Sequence, residues 1–331
     1  MEFFASAPCK AILFGEHYVV YGASALAIPI EPRNRVKFTD SRLPGISLSS
    51  SLGSAQIAQG LSFSGEPCLA PFAAVARVAC GKRPPPPCGA EFLPSWSLKG
   101  VGISSSLGAA FAAGLLSLSG KCASARKIFL SAQAGDLVAH EGKASGIDAR
   151  AVAYGKPILF QRKFSPPKFL ARSAKFSLPP GCSLLLIDTF KGKKGSTAAM
   201  LANFALSFGI STLPPAVPED KRKEVRAEFA PILKSALAAR TAQELGKAMD
   251  GNHVLLRMRR VSSQGIDSAV SAALSAGAYG AKLTGGGGEG GSAIALCDTA
   301  RVQQLSQAVS DSTGFACHPL SLAIEGAKID A

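Results

Sequence analysis

Several short stretches of this 331-residue chain collect the residue types that hold phosphate and move protons. One runs from Gly100 to Gly108 and reads GVGISSSLG, with Gly100 and Gly102 ahead of Ser104, Ser105 and Ser106. Glycine lets backbone approach an anion closely. The first amides of a helix lack intrahelical partners and sit at the positive end of its dipole. Serine hydroxyls add donors for phosphate or oxygen ligands for Mg²⁺. The same stretch also suits a small-residue helix packed tightly on a sheet, and taken alone the two readings stand level. A G-x-x-x-x-G-K-[ST] phosphate loop is absent from the sequence.

A second stretch is Ala7–Gly22, APCKAILFGEHYVVYG. Lys10 stands at the start of a strand-like run, where an ammonium reaches a phosphate or lowers the pKa of a hydroxyl; otherwise it is a surface lysine. Glu16 and His17 fall in the turn that follows. A third, Lys282–Ser292, reads KLTGGGGEGGS. So many glycines cost chain entropy and imply backbone wrapped round a ligand or bent in a tight turn. Gly285, Gly287 and Gly290 satisfy G-x-G-x-x-G, a match that is nearly automatic in such a run and that no following helix supports as a dinucleotide site. Asp148 closes the segment Ser145-Gly146-Ile147-Asp148, which is also a common turn. Asp188–Thr197, DTFKGKKGST, offers Lys191, Lys193 and Lys194 as a phosphate-receiving patch or as an ordinary solvated loop.

The elements around these residues read as two domains. Short strands are expected at Ala11–Phe14, Val19–Tyr21, Ala25–Ile30 and Arg35–Thr39, with Leu43–Gly65 left as loop and uncertain strand. Pro71–Cys80 reads as a short helix, RPPPPC (Arg83–Cys88) as a stiff connector, and Ala90–Leu98 as the strand feeding the glycine–serine loop. Helices follow to about Leu118, ended by Gly120, and over Ala123–His140. The segment from Gly142 to Lys163 reads as a turn and strand pair. Phe164–Gly181, with four prolines and two lysines, is the expected interdomain linker. Beyond it, a strand at Cys182–Asp188 precedes helices at Ser196–Ser207, Glu219–Ala238, Ala242–Arg260 and Ser263–Ser275. Strands at Tyr279–Leu283 and Ser292–Cys297 flank the glycine run, and a helix and a strand finish an α+β domain.

Composition fits a folded protein: 47% hydrophobic and 18% charged residues, with 7% aromatics, so small side chains do much of the packing. The net charge of +14 suits anionic partners without choosing among nucleotides, phosphorylated metabolites, nucleic acid and membrane surface. No basic, aromatic-interleaved stripe supports nucleic acid. The eight cysteines form no C-x-x-C pair and no zinc spacing. The sequence shows no signal peptide and no apolar run of membrane-spanning length. A cytoplasmic protein with reduced cysteines is therefore expected, without nucleic-acid or membrane partners.

The stretches occur in a fixed order that carries a resemblance. APxK-x-ILFGEH-x-VVYG resembles the opening signature of mevalonate kinases, members of the superfamily of galactokinase, homoserine kinase, mevalonate kinase and phosphomevalonate kinase. Gly100–Gly108 is similar to that superfamily's G-x-G-L-G-S-S-A-A, and Lys282–Ser292 to its K-L-T-G-A-G-G-G-G-C. Ser145–Asp148 matches its S-G-x-D. The resemblance implies an α+β, two-domain GHMP kinase fold. Its N-terminal domain (1–170) would be of the ribosomal protein S5 domain 2-like type and its C-terminal domain (171–331) ferredoxin-like, with the active site between them. It implies ATP and Mg²⁺ as cofactors, a small alcohol as substrate, mevalonate first and phosphomevalonate as the alternative, and allows a homodimer. Asp148 would take or orient the substrate hydroxyl proton and Lys10 would stabilise the developing charge. Gly100, Gly102, Ser104, Ser105, Ser106, Leu107, Gly108, Gly285, Gly286 and Gly287 would bind nucleotide. Glu16, His17, Thr189 and Thr197 would border the substrate. Ser106 would ligate the metal.

Three departures matter. Ser104 replaces a family glycine, Lys99 stands where proline is common, and Leu137 occupies the register of the metal-binding glutamate. Asp136, four residues before His140, is the expected replacement; Glu141, seven before Asp148, is the alternative. The two point about 140° apart on a helix, so both cannot serve one ion.

Overall fold

The apolar runs of the first forty residues merge into two long strands. The computed structural model describes residues 2–96, 98, 100–142, 144–192, 195–212 and 216–330. In it β1 spans Glu2–Phe14 and β2 spans Ser24–Asp40. Between them Tyr18–Tyr21 forms a single 3₁₀ turn, not the expected strand. Gly15, His17 and Gly22 all have positive φ (98°, 58° and 91°), so the chain bends at both ends of YVVY before it can extend.

Two compact units emerge, Met1–Lys10 with Ile28–Lys156 and Leu322–Ala331, and Ala11–Ala27 with Pro157–Ser321. The division differs from a single cut at residue 170. Both long strands cross from one unit to the other, and Pro167–Ser173 is a strand of a hairpin, not part of a linker.

In the first unit Leu43–Gly65 holds three strands: β3 (Ile46–Ser50), β4 (Gly53–Ile57) and β5 (Phe63–Gly65). With β6 (Cys88–Leu93) and β13 (Lys328–Ile329) they form a sheet in the order β13-β1-β2-β6-β3-β4-β5. All its recorded pairings are antiparallel except β3 with β6, where Ile46 lies opposite Cys88. Helices α1 (Ala70–Cys80), α2 (Ile103–Leu118) and α3 (Ala125–Ala139) pack on one another beside this sheet. The small residues of α2 have a clear use. Gly114 faces the ring of Phe38 on β2, where a Cβ would stand only 2.1 Å from it. Phe38 in turn stacks on Phe111, and Phe92 and Phe72 complete the aromatic part of the core. A fourth helix, α4 (Ile147–Tyr154), replaces the expected turn. It is only eight residues long and lies between two glycines, Gly146 and Gly155, both left-handed, which gives it the local look of a loop.

In the second unit β7 (Ile158–Phe164) pairs with Ser24–Ala27 and with β8 (Pro167–Ser173). A four-stranded antiparallel sheet runs β10 (Gly280–Thr284), β11 (Ser292–Asp298), β9 (Cys182–Asp188), β12 (Ala316–Leu320). Its helices are α5 (Thr197–Leu206), α6 (Glu219–Ala238), α7 (Ala242–Met258), α8 (Gln264–Ser275) and α9 (Val302–Thr313). The four consecutive apolar residues Leu184–Ile187 are fully buried, as expected of an interior strand covered on both faces. Edge strand β10 lacks a strand on its outer side, and α7 supplies the missing acceptors. Asp250 accepts from the Ala281 amide at 2.8 Å and His253 Nδ1 from the Leu283 amide at 3.3 Å.

Candidate active site

Four elements of the first unit converge on one cluster. Lys10, 4% exposed on β1, donates from Nζ to the Gly100 carbonyl at 3.1 Å and lies 3.2 Å from Asp148 Oδ1. The Lys10 amide also bonds the Val101 carbonyl at 2.8 Å, so the strand fixes the glycine loop twice. Gly102 has φ 74° and a Cβ there would meet Lys10 Cγ at 2.9 Å, so both conformation and space call for glycine. Asp148 sits in the first turn of α4, where the helix dipole favours a carboxylate, and its side chain keeps 32% exposure. A buried ammonium therefore holds one side of a carboxylate whose other side stays exposed.

Behind this pair, Ser105 in the first turns of α2 donates to Asp136 Oδ2 on α3 at 2.7 Å. Asp136 is 4% exposed. Burial pushes its carboxyl up to about 6; the Ser105 bond opposes that rise and the charge of Asp148 adds to it. Glu141 lies beyond α3 and is exposed, and His140 is exposed too. The geometry thus joins Asp136 to the serine loop. Ser106 is fully buried and donates to the Ala7 carbonyl at 2.8 Å, so Ser105 is the serine beside the acid. Ser104 is exposed at the helix start, whereas Leu107 and Gly108 lie inside the packing of α2, with Gly108 against Val75 and Ala132. Gly100 has open space around its Cβ position. Lys99 lies outside the described residues.

The other predicted residues lie in the second unit. Glu16 does not stand open for a substrate. Its Oε1 accepts from Lys282 Nζ at 2.5 Å, and both side chains are fully buried. Lys282 also donates to the Leu283 carbonyl, and burial lowers its pKa. Lys282 was legible only as the first letter of a motif; no local signal tied it to Glu16, 266 residues away. His17 is 5% exposed, stacks on Phe204, and is held neutral at pH 7 by burial, which lowers its pKa to about 4. Thr189 spends its hydroxyl on the Gly291 carbonyl at 2.8 Å.

Much of the glycine run is explained by its own packing. A Cβ on Gly287 would stand 2.1 Å from the Val261 carbonyl oxygen, and one on Gly286 would stand 2.6 Å from Thr197 Oγ1. Gly285 alone of these three faces open space. In the lysine loop, Lys191 donates to the Thr313 carbonyl at the end of α9 and lies over the Phe315 ring. Lys193 and Lys194 lie outside the described residues. No helix among the described residues is long and apolar enough to cross a membrane.

The α+β scaffold sets a lysine–aspartate pair beside a glycine–serine helix start, and residues 233–314 match the family model described as GHMP kinases C terminal. The chain is 30% identical over 341 residues to a mevalonate kinase from Aeropyrum pernix, covering 98% of each chain. It is 29% identical to one from Pyrococcus horikoshii, covering 94% of this chain and 93% of that one. The crystal structure of L. major mevalonate kinase in complex with R-mevalonate shares the fold with a TM-score of 0.75, at 24% identity over 96% of this chain and 95% of that one. The chain belongs to the mevalonate kinase family. Like that family it is a small-molecule kinase. For Mg²⁺, which prefers hard oxygen ligands and keeps several waters, the hydroxyl and carboxylate of Ser105 and Asp136 are a suitable donor set.

Proposed function

We propose that this enzyme phosphorylates the 5-hydroxyl of mevalonate with ATP, giving 5-phosphomevalonate and ADP. The observation that carries the reading is similarity over almost the whole length to the Aeropyrum pernix mevalonate kinase. Phosphoryl transfer asks a protein mainly for positioning and charge neutralisation. Asp148, held by Lys10 but open on its other side, accepts the hydroxyl proton or orients that hydroxyl. Lys10 places a buried positive charge beside the oxygen that becomes nucleophilic. Gly100, Gly102 and the first amides of α2, with Ser104 and Ser105, offer donors to the triphosphate. Ser105 and Asp136 would hold Mg²⁺, which when bound neutralises phosphate charge. His17 offers a neutral ring to the substrate, and Gly285 a stretch of backbone without a side chain to the nucleotide.

The phosphomevalonate alternative rests on the HEGK-x-SG-x-D-x-x-x-x-AYG segment, His140–Gly155, which also resembles that enzyme, and on the lysine loop. Lys191 donates to the Thr313 carbonyl at the end of α9, so one of the loop's three cations already has a protein partner. A coupled ADP-release assay over mevalonate, phosphomevalonate, homoserine, galactose and shikimate tests the assignment. Mevalonate is expected to give the highest kcat/KM. Turnover of 5-phosphomevalonate at least tenfold better would replace the reading.

A further inference from the structure

The second unit contains a cavity of about 560 Å³, within the range of small-ligand sites, that the phosphoryl-transfer residues do not touch. One wall is a stripe of α6: Arg226, Ala230, Leu233, Lys234 and Leu237. Spacings of three and four put these on one helical face. Gly22–Ser24 and Gln161 form the opposite wall, with Phe229 among the apolar lining. Two cations line the cavity and no acidic residue does.

The charge around its Gly22 end is also unbalanced. A Cβ on Gly22 would stand 3.6 Å from Arg226 Nη1 and 3.2 Å from the Phe164 ring, so these groups adjoin one another. The Phe164 ring carries the Arg222 guanidinium 4.3 Å from its centroid and that of Arg162 at 4.9 Å. Glu219 pairs with Arg222 at 2.9 Å and Arg226 at 2.5 Å. Arg162 has no carboxylate partner among the described residues, and burial together with Arg222 lowers its pKa. Arg222 keeps a buried Nη1 without a hydrogen-bond partner. Three guanidiniums thus share one carboxylate, and like charges held together in a partly desolvated place favour an anion.

We propose that this cavity is a binding site for a small amphiphilic anion, its oxyanion head at Arg226 and its aliphatic body against Leu233, Leu237 and Phe229. Apolar walls supply affinity and the cations select the head group. The reading is independent of the substrate of the kinase reaction.

Hexyl phosphate, inorganic phosphate and hexanol serve as probes in titration calorimetry of the full chain. A saturating non-hydrolysable ATP analogue keeps the probes away from the glycine–serine loop. Hexyl phosphate is expected to bind at least tenfold tighter than either control. Arg226→Gln should weaken it at least tenfold, and Ala230→Trp, at an exposed position on the wall, should abolish it, with kcat within twofold of wild type in both. Should Arg226→Gln fail to fold, Ala230→Trp decides alone. Equal binding of hexyl phosphate and hexanol, or wild-type affinity in Ala230→Trp, would overturn the proposal.

Discussion

Each unit contains a lysine held against a carboxylate, and the two pairs are built differently. Lys10 and Asp148 stand 3.2 Å apart, with the aspartate one-third exposed at a helix start. Lys282 and Glu16 stand 2.5 Å apart with nothing exposed on either side. In the first pair the lysine is buried while the carboxylate keeps an exposed face. In the second, desolvation is complete and each charge answers only to protein. The same two residue types therefore make a partly open pair in one place and a buried joint between β10 and the GEH turn in the other. A functional reading of a charged motif residue has to ask what its far side meets.

The largest expected effect lies on the buried pair. Lys282→Met removes the buried ammonium that Glu16 Oε1 accepts from and should cost about 3–5 kcal/mol in urea denaturation. Adding Glu16→Gln should restore part of that loss. A normal midpoint in the single variant, with kcat collapsed, would make Lys282 a reacting group and erase the contrast.

Next comes the open pair. Asp148→Asn should lower kcat by about 10² or more, roughly 2.7 kcal/mol, while ATP affinity and melting temperature stay near wild type. Lys10→Ala should also lower kcat strongly. If either variant affects only thermal stability, the pair is structural.

Asp136 sharpens the comparison from a third direction, because it is a buried acid without a bonded cation among the described residues. Its folded pKa of about 6 lies above the unfolded carboxyl value, so the native state holds the proton more tightly. Wild-type stability without Mg²⁺ should therefore fall relative to Asp136→Asn as pH rises from 4 to 7, by on the order of 2 kcal/mol. Parallel stability curves for the two proteins over that range would contradict the assigned burial cost.

The smallest contrast is in Mg²⁺ requirement. Asp136→Ala should need about tenfold more Mg²⁺ for half-maximal activity, a change of roughly 1.4 kcal/mol. Glu141→Ala should stay within about twofold, well under 1 kcal/mol. The reverse order would move the metal to Glu141, and no change in either would leave it to serine, nucleotide and water.

What the chain determined locally was considerable. The helices α2, α3, α6, α7 and α8 follow from periodicity and end signals carried within each segment, such as Thr241 and Glu244 capping α7. The order of the glycine, serine, lysine and aspartate motifs was enough to indicate a kinase family. Tertiary structure decided what local signals do not encode. Eight residues between two glycines became α4 because Ile147, Ala151 and Val152 bury in the first unit. YVVY became a 3₁₀ turn because the flanking left-handed residues leave no room to extend. Which serine meets Asp136 depends on which side of α2 faces α3, across 31 residues. The fate of Glu16 depends on a lysine 266 residues away. A residue's type sets which partners it tolerates, but desolvation and distance select the partner, and both arise only when distant segments pack.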